Sequence, residues 1–496
     1  MKNNRFRCHP SIIVENLVTL IVGVIAVLIF NIDDFMELFR EAGKAVDLKD
    51  TIISIGIITL LVAVFTGYQL IIYLKTWISI ENNNLLIERL TMLRTVRRSF
   101  NTRNISNINL EQNLFERIMG TCKVKIDTNS QSTADETDIK IVLKLSDAKE
   151  FRSYILEHLA EDGAAADRQL GAESVGFDIQ YTPEQVAMHC IYSVSLSIVS
   201  FTVIVAAGLI FGLTHFAHEG FTVANVASAL GGIISAIWIA ATCLYSLVKD
   251  FFRYYGFRAK RVENRIIMSY GLIKKHQYVL PVDKINTIKV KARLISRLCG
   301  RQSVEVICIG VGDEKNENSL LLLSEKNDVI SKRLALLLPE FSIDEPEMER
   351  RKPCTLWSNA PGLVTVLLIE GGIIALFMNL RNQITVMQTF IDTLILGTAA
   401  VVPAVYFIYI ILRFKTEGLH MGENTLVVVT GAFTRVVTWI PYRRIQSLNF
   451  SQGPFARRYG YAAGAVSILA ASAGAIHSVP ALDEGLYRNV QKKLIE

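Results

Sequence analysis

Six stretches of the chain are apolar almost without interruption: Ile12–Phe30, Thr51–Leu74, Val186–Phe216, Phe221–Val248, Pro361–Leu380 and Ile384–Leu412. Each matches the roughly 20 residues that a helix needs to cross a bilayer. They fall into pairs with short connections, so each pair reads as a helical hairpin. After each hairpin the pattern changes to short apolar or alternating runs bounded by turn residues, as strands require. Examples are Leu85-Leu86-Ile87, Val124-Lys125-Ile126, Ile266-Ile267-Met268, Val304-Glu305-Val306 and Leu426-Val427-Val428-Val429. Each block closes on helical spacing: behind Ser146, behind Ser324 as an N-cap, and through Leu482, Leu486, Val490 and Leu494.

The strand blocks are copies of one another. An Asn is followed by an Ile at +21, an Arg at +33 and a Gly at +36. The sets are Asn84, Ile105, Arg117, Gly120; Asn264, Ile285, Arg297, Gly300; and Asn424, Ile445, Arg457, Gly460. The offsets, 264−84 = 180 and 424−264 = 160, hold at all four landmarks. Such a repeat decides the architecture ahead of any single motif. The pattern predicts an α+β membrane protein in which three transmembrane hairpins each precede a small β-barrel or sandwich with a C-terminal helix. Hairpins occupy 1–76, 181–252 and 357–412, modules occupy 77–160, 253–338 and 413–496, and linkers occupy 161–180 and 339–356.

The order of hairpin, Asn-x-Leu/Ile strand, Gly-Leu/Phe turn, Pro-x-x-x-Ile and Arg-x-x-Gly resembles the bacterial pleckstrin-homology (PH) domains of the second type. Multi-pass membrane proteins of that family carry three such modules. Arg7-Cys8-His9-Pro10-Ser11 also resembles the family's entry into its first span. The first copy departs from the pattern, with Thr91 in place of the Gly and Asn101 in place of the Pro. The resemblance implies PH-like modules, membrane lipids and a smaller single-module membrane protein as partners, and, for some relatives, resistance to membrane-active peptides.

The chain has 496 residues, is 51% hydrophobic and has a mean hydropathy of +0.34, which is high for a soluble protein of this length. A formal charge of +6 is too mild for a dedicated nucleic-acid binder. Lys and Arg gather at the N-terminus (Lys2, Arg5, Arg7) and at the hairpin exits (Lys75; Arg253, Arg258, Lys260, Arg261; Arg413, Lys415). The first hairpin loop is instead rich in acids, from Asp33 to Asp50. The positive-inside bias therefore puts both termini and all three modules in the cytoplasm. Seven scattered cysteines form no C-x-x-C pair, so neither a disulfide framework nor a zinc site is expected.

Candidate chemistry is sparse. The eight histidines are dispersed, and there is no H-E-x-x-H, G-x-S-x-G or P-loop, so an enzyme, a cofactor or a metal has no support. Basic residues after the first strand of each module (Arg94, Arg97, Arg98; Lys274, Lys275, His276; Arg435) are candidates for anionic headgroups, each worth about 1 kcal/mol at a charged leaflet. The repeated arginines could grip phosphate, but an Arg three residues before a Gly more simply pins a loop. The repeated Ile set reads as core. Glu370, mid-span before Gly371 and Gly372, is the intramembrane carboxylate, and such a group is a functional hypothesis by default. It carries the rival reading of a transporter or channel. Gly208-x-x-x-Gly212 reads as a helix-packing motif.

Overall fold

The computed structural model describes residues 5–18, 48–81, 84–91, 94–101, 105–128, 139–159, 176–195, 198, 223–308, 319–341, 347–383, 388–468 and 476–495. Most of Ile12–Phe30 and of Val186–Phe216, the acidic stretch Asp33–Asp47, Gly208 and Gly212, and the Glu161–Asp167 linker lie outside the described residues. The chain divides into two compact units. The first comprises Met1–Gly176, Val262–Ser269 and Ile273–Val279; the second comprises Phe177–Arg261, Tyr270–Leu272 and Leu280–Glu496.

In the first unit a short strand β1 (Arg5–Phe6) precedes β2 (Trp77–Glu81), β3 (Asn84–Thr91) and β4 (Arg94–Asn101), and the four form one antiparallel sheet. A second antiparallel set, β5 (Ile105–Gln112), β6 (Thr121–Thr128) and β7 (Ile139–Lys144), leads into the helix Leu145–Leu159. Alternation along the strands puts one row of side chains inward from each sheet. Ile78 and Leu85 from the first, Ile108, Val124 and Ile141 from the second, and Phe151 and Ile155 from the helix form one buried cluster. This is a two-layer sandwich closed by its C-terminal helix.

The later modules repeat the plan. The middle one begins with β8 (Ile179–Gln180) and continues through β9 (Arg258–Val262), β10 (Arg265–Tyr270), β11 (Lys275–Pro281), β12 (Ile285–Ala292), β13 (Arg301–Cys308) and β14 (Ser319–Lys326). The last has β15 (Glu349–Arg350), β16 (Gly418–Met421), β17 (Thr425–Thr430), β18 (Arg435–Pro441), β19 (Ile445–Ser451), β20 (Tyr461–Ile468) and β21 (Ile476–Asp483), then the helix Glu484–Ile495. Its core joins Leu426, Val428 and Ile440 to Val466, Leu482 and Tyr487.

The stretch before each hairpin belongs to the module rather than to a linker. Arg5 pairs with Ser79, Ile179 with Ala259, and Glu349 with Leu419. On the post-hairpin strand these partners sit at the repeat offsets, 259−79 = 180 and 419−259 = 160, so the register is the same in all three modules. Two-residue strands carry no periodic signal, and 161–180 and 339–356 read as linkers for that reason. The apolar sequence is thus inserted between the first and second strands of each module.

Among the described residues one helix, Pro353–Asn379, is long and apolar enough to cross a membrane, with a mean hydropathy of 2.0; Val62–Lys75 is apolar but shorter. Three full hairpins are not seen, because much of the apolar sequence lies outside the described residues. The third pair is present as helices Ala360–Gln383 and Gln388–Thr416, which pack on each other. Val186–Tyr192 does not begin a span. It belongs to the helix Pro183–Tyr192, which Thr182 caps through the Gln185 amide and which packs on β14.

Arg351 ties the two ends of the third insertion together. Its side chain is fully buried and donates from Nη1 to Glu417 (2.9 Å), from Nε to the Thr355 hydroxyl (3.1 Å) and from Nη2 to the Thr355 carbonyl (2.8 Å) and Ser358 (2.7 Å). Arg413 holds the other Glu417 oxygen at 2.6 Å. Breaking a buried pair strands the remaining charge. Arg351→Ala should cost about 3 kcal/mol, the low end of that range because Arg413 still faces Glu417. A thermal unfolding midpoint equal to that of the parent protein, measured on the chain in detergent, would contradict this account.

Candidate functional site

The feature that the modules have in common is their edge-to-edge pairing. In the first unit β5 pairs antiparallel with β11 of the middle module: Leu110↔Gln277, Glu111↔His276, Gln112↔Lys275. In the second unit β12 pairs with β18 of the last module: Val290↔Val437, Lys291↔Val436, Ala292↔Arg435. Moving from one set to the other adds 180 on the first strand (290−110) and 160 on the second (437−277), which are the repeat offsets. One register therefore serves both junctions. In the second junction apolar pairs recur along it, with Trp439 (5% exposed) opposite Ile288 (1%) and Val437 opposite Val290.

Charged groups fasten each junction. In the first, Glu111 is buried and accepts from Lys125 Nζ (2.9 Å) on β6, Lys274 Nζ (3.0 Å) before β11, and the Tyr278 hydroxyl (3.3 Å) on β11. His276 Nδ1 lies 3.5 Å from the same carboxylate. Burial alone would raise the Glu111 pKa, but His276, Lys125 and Lys274 outweigh it and hold the carboxyl far below its ordinary 4.5. In the second junction Arg297 donates to the Ala432 carbonyl (2.5 Å) and to the Thr416 hydroxyl (3.3 Å). Its short helix, Leu294–Leu298, ends beside Gly300. Gly120, Gly300 and Gly460 all take the left-handed conformation, with φ of 65°, 63° and 65°, which any Cβ would strain.

The predicted site residues separate accordingly. Lys274 is spent on Glu111, and Lys275 and Arg435 sit in the two ladders. These three are junction residues, because β11 and β18, the fourth strand of each later module, are the strands that dock. Arg97 and Arg98 stay exposed, with Arg97 bonded to Glu88 at 2.9 Å; Arg94 opens β4. Arg297 reaches into the next module rather than pinning its own loop. Arg457 is exposed and has no side-chain partner among the described residues, and Arg117 is also exposed. Ile105 and Ile285 are buried and Ile445 is half-buried against the last module's core. Asn264 and Asn424 lie in turns, whereas Asn84 opens β3. Glu370 is 7% exposed, and its Oε1 has no hydrogen-bond partner among the described residues. Gly371 and Gly372 have nothing within 4 Å of where a Cβ would stand, so they do not bring helices close there.

Sequence reasoning missed Glu111, since the equivalent positions are Lys291 and Ser451. It also missed a polar cavity of about 180 Å3 in the second unit. There the ends of the helices Pro183–Tyr192 and Val223–Tyr254 meet β12, β13 and β14. Arg253, Lys291 and Arg293 line it beside Asp250 and Glu305. Lys291 is paired to Glu305 at 3.1 Å. Burial pushes the Asp250 carboxyl up against the pull of Arg253 and Arg293. His189 accepts the Ser324 amide at 3.0 Å, and burial together with Arg293 pushes its pKa down to about 4, so it is neutral near pH 7. No cluster of metal-ligating side chains occurs among the described residues.

The sequence matches the family Bacterial PH domain in three stretches, 20–159, 201–330 and 374–496. It is 34% identical over 107 residues to the UPF0699 transmembrane protein YdbT of Bacillus subtilis (strain 168). That alignment covers 21% of this chain and 21% of that protein, so the chain spans about a fifth of the relative's length. No solved structure matches.

Glu111 gives the first junction a pH dependence of known sign. A carboxyl whose folded-state pKa is depressed stabilises fully above its ordinary value, here 4.5, and loses that stabilisation as pH falls. Protection of the β5 amides against hydrogen exchange, taken relative to the intrinsic rate at each pH, should therefore fall below about pH 4.5 in the parent protein, and the fall should flatten in Glu111→Gln. An identical pH profile in the two proteins would remove Glu111 from this role.

Proposed function

Since the chain belongs to the bacterial PH domain family, we propose that it is a non-enzymatic, multi-pass membrane scaffold that presents three PH-like modules side by side at the cytoplasmic face. One observation carries the reading: consecutive modules share a backbone ladder in a single register. Docking through sheet edges fixes spacing and orientation, which catalysis does not need and a scaffold does. The long helices inserted in the modules, the apolar composition and the transmembrane relative support membrane attachment. Basic residues at the hairpin exits support a cytoplasmic face. Holding modules together raises the effective concentration of whatever they bind. Protection against membrane stress or membrane-active peptides is a process such a scaffold would serve. Reporter domains fused after Ala160, Pro339 and Glu496 should all report the cytoplasm; opposite sidedness at any one would end the reading.

A second reading, recognition of anionic lipid, rests on the cavity at the helix exit. Arg253, Lys291 and Arg293 line it beside a neutral His189, and a headgroup phosphate would accept charge-assisted hydrogen bonds from a cationic lining of this kind. Chain purified in mild detergent should retain phosphatidylglycerol, and the Arg253→Ala, Arg293→Ala double variant should lose most of it. Equal retention by both proteins would exclude the cavity as the binding place.

A further inference from the structure

Among the described residues two strands equivalent to the mating strands have no partner on their outer side, one in each unit. One is β19, the repeat of β5 and β12, on the edge of the sheet β19-β20-β21. Its inward pair, Leu448 and Phe450, is only half-buried. The equivalent pairs are closed over: Ile108 is 0% and Leu110 3% exposed, and Ile288 and Val290 are 1% each. The junction arginine of this module, Arg457, is exposed and unpartnered among the described residues. The other is β4, the repeat of β11 and β18, on the edge of the sheet β1-β2-β3-β4.

We propose that β19 of one copy pairs with β4 of a second copy, head to tail, in the register of the internal junctions. The pairs follow by arithmetic from Val290↔Val437: 290+160 = 450 and 437−180−160 = 97, so Phe450 meets Arg97, Asn449 meets Arg98 and Leu448 meets Ser99. Two features identify a second copy as the occupant. Thr416, the hydroxyl that receives Arg297, has its repeat at 416−340 = 76, which is Thr76, whereas the middle module has Gly256 there. Thr76 and Thr416 also have the same local setting, each donating back to the carbonyl four residues earlier. Arg457 therefore has a matching receiver in the first module of another copy. In addition, the internal junctions already tolerate a polar residue opposite the core row, as Gln277 stands opposite Leu110; Arg97 takes that place against Phe450, where its alkyl stem covers the ring. An exposed edge is a template for another strand, and here both halves of the template are on one chain. Such a heterologous contact closes a ring or continues as a row.

This inference rests on the scaffold reading, and the experiment separates the two. The full chain is oxidised mildly in its native membranes as the pair Asn449→Cys with Arg98→Cys, positions exposed in the single chain. Parallel samples carry each cysteine alone and the off-register pair Asn449→Cys with Arg97→Cys. Disulfides need Cβ atoms within about 4.5 Å, and a one-residue slip turns a side chain to the opposite face. The matched pair should give reducible dimers and higher multiples that are lost off register and lost again when Arg457→Ala is added. Absence of crosslinks with the reporter sidedness intact overturns the proposal and leaves the scaffold standing. Dimers from Asn449→Cys alone would mean that β19 pairs with itself, and a crosslink to a different polypeptide would mean that the edge serves another protein; either result overturns the second-copy assignment.

Discussion

Backbone hydrogen bonding between modules is the constraint on which the architecture depends. A strand edge exposes a row of unpaired N–H and C=O groups, and every module of this kind makes two such edges. The chain uses one module's edge to satisfy the next: β5 takes β11, and β12 takes β18. Because side chains alternate with a period of two, a slip of one residue would turn the whole inward row outward. Identical register at both junctions is therefore a strict requirement on sequence spacing, and the invariant distances from Asn to Ile, Arg and Gly meet it. Cross-strand pairs such as Ile288 with Trp439 and Val290 with Val437 add roughly 0.2–1 kcal/mol each over alanine.

The charged groups lie where the ladder alone would leave the geometry loose. Glu111, Arg297 and Arg351 differ in sequence context but share a role: each carries several hydrogen bonds across segments far apart in the chain. A buried charge is costly unless its partners are complete, so Glu111 and Arg351, which are buried, each tolerate one arrangement of their neighbours. Glu111 illustrates the balance. Burial works against its ionised form, yet His276 and Lys125 on two other strands, with Lys274 just before β11, reverse the sign. Apolar packing closes each sandwich, and the charges select how segments meet.

The repeat made the number of modules and the strand-then-helix order legible. It works because equal spacing survives in a single sequence. The repeated arginines stand three residues before the glycines in every copy, but no local pattern encodes their reach: Arg297 bonds a carbonyl 135 residues away. Lys274 read as a surface cation because a basic cluster after a strand resembles a headgroup site; its partner Glu111 is not repeated. β1, β8 and β15 escaped notice since two residues have no periodicity. His189 and Arg253 were hidden in the flanks of apolar runs, where hydropathy overrides the polar positions that line a cavity.

The short leading strands also constrain the membrane topology. Each pairs with a strand that follows the apolar insertion. Two strands can share a ladder only on the same side of a bilayer, so the insertion between them must cross an even number of times or not at all. A single crossing in any one insertion would tear β1 from β2, or β15 from β16. Because the stretches between modules carry no apolar run long enough to cross, the same argument extends along the chain and favours one face for all three. The sheet thereby does for topology what charge bias does during insertion, and the two are independent. The helix pair inserted in the third module is bound to that module at both ends, with Arg351 and Glu417 as the clasp. The clasp thus stands beside β15 and β16, at the end of the sheet away from β18, the strand through which the modules join.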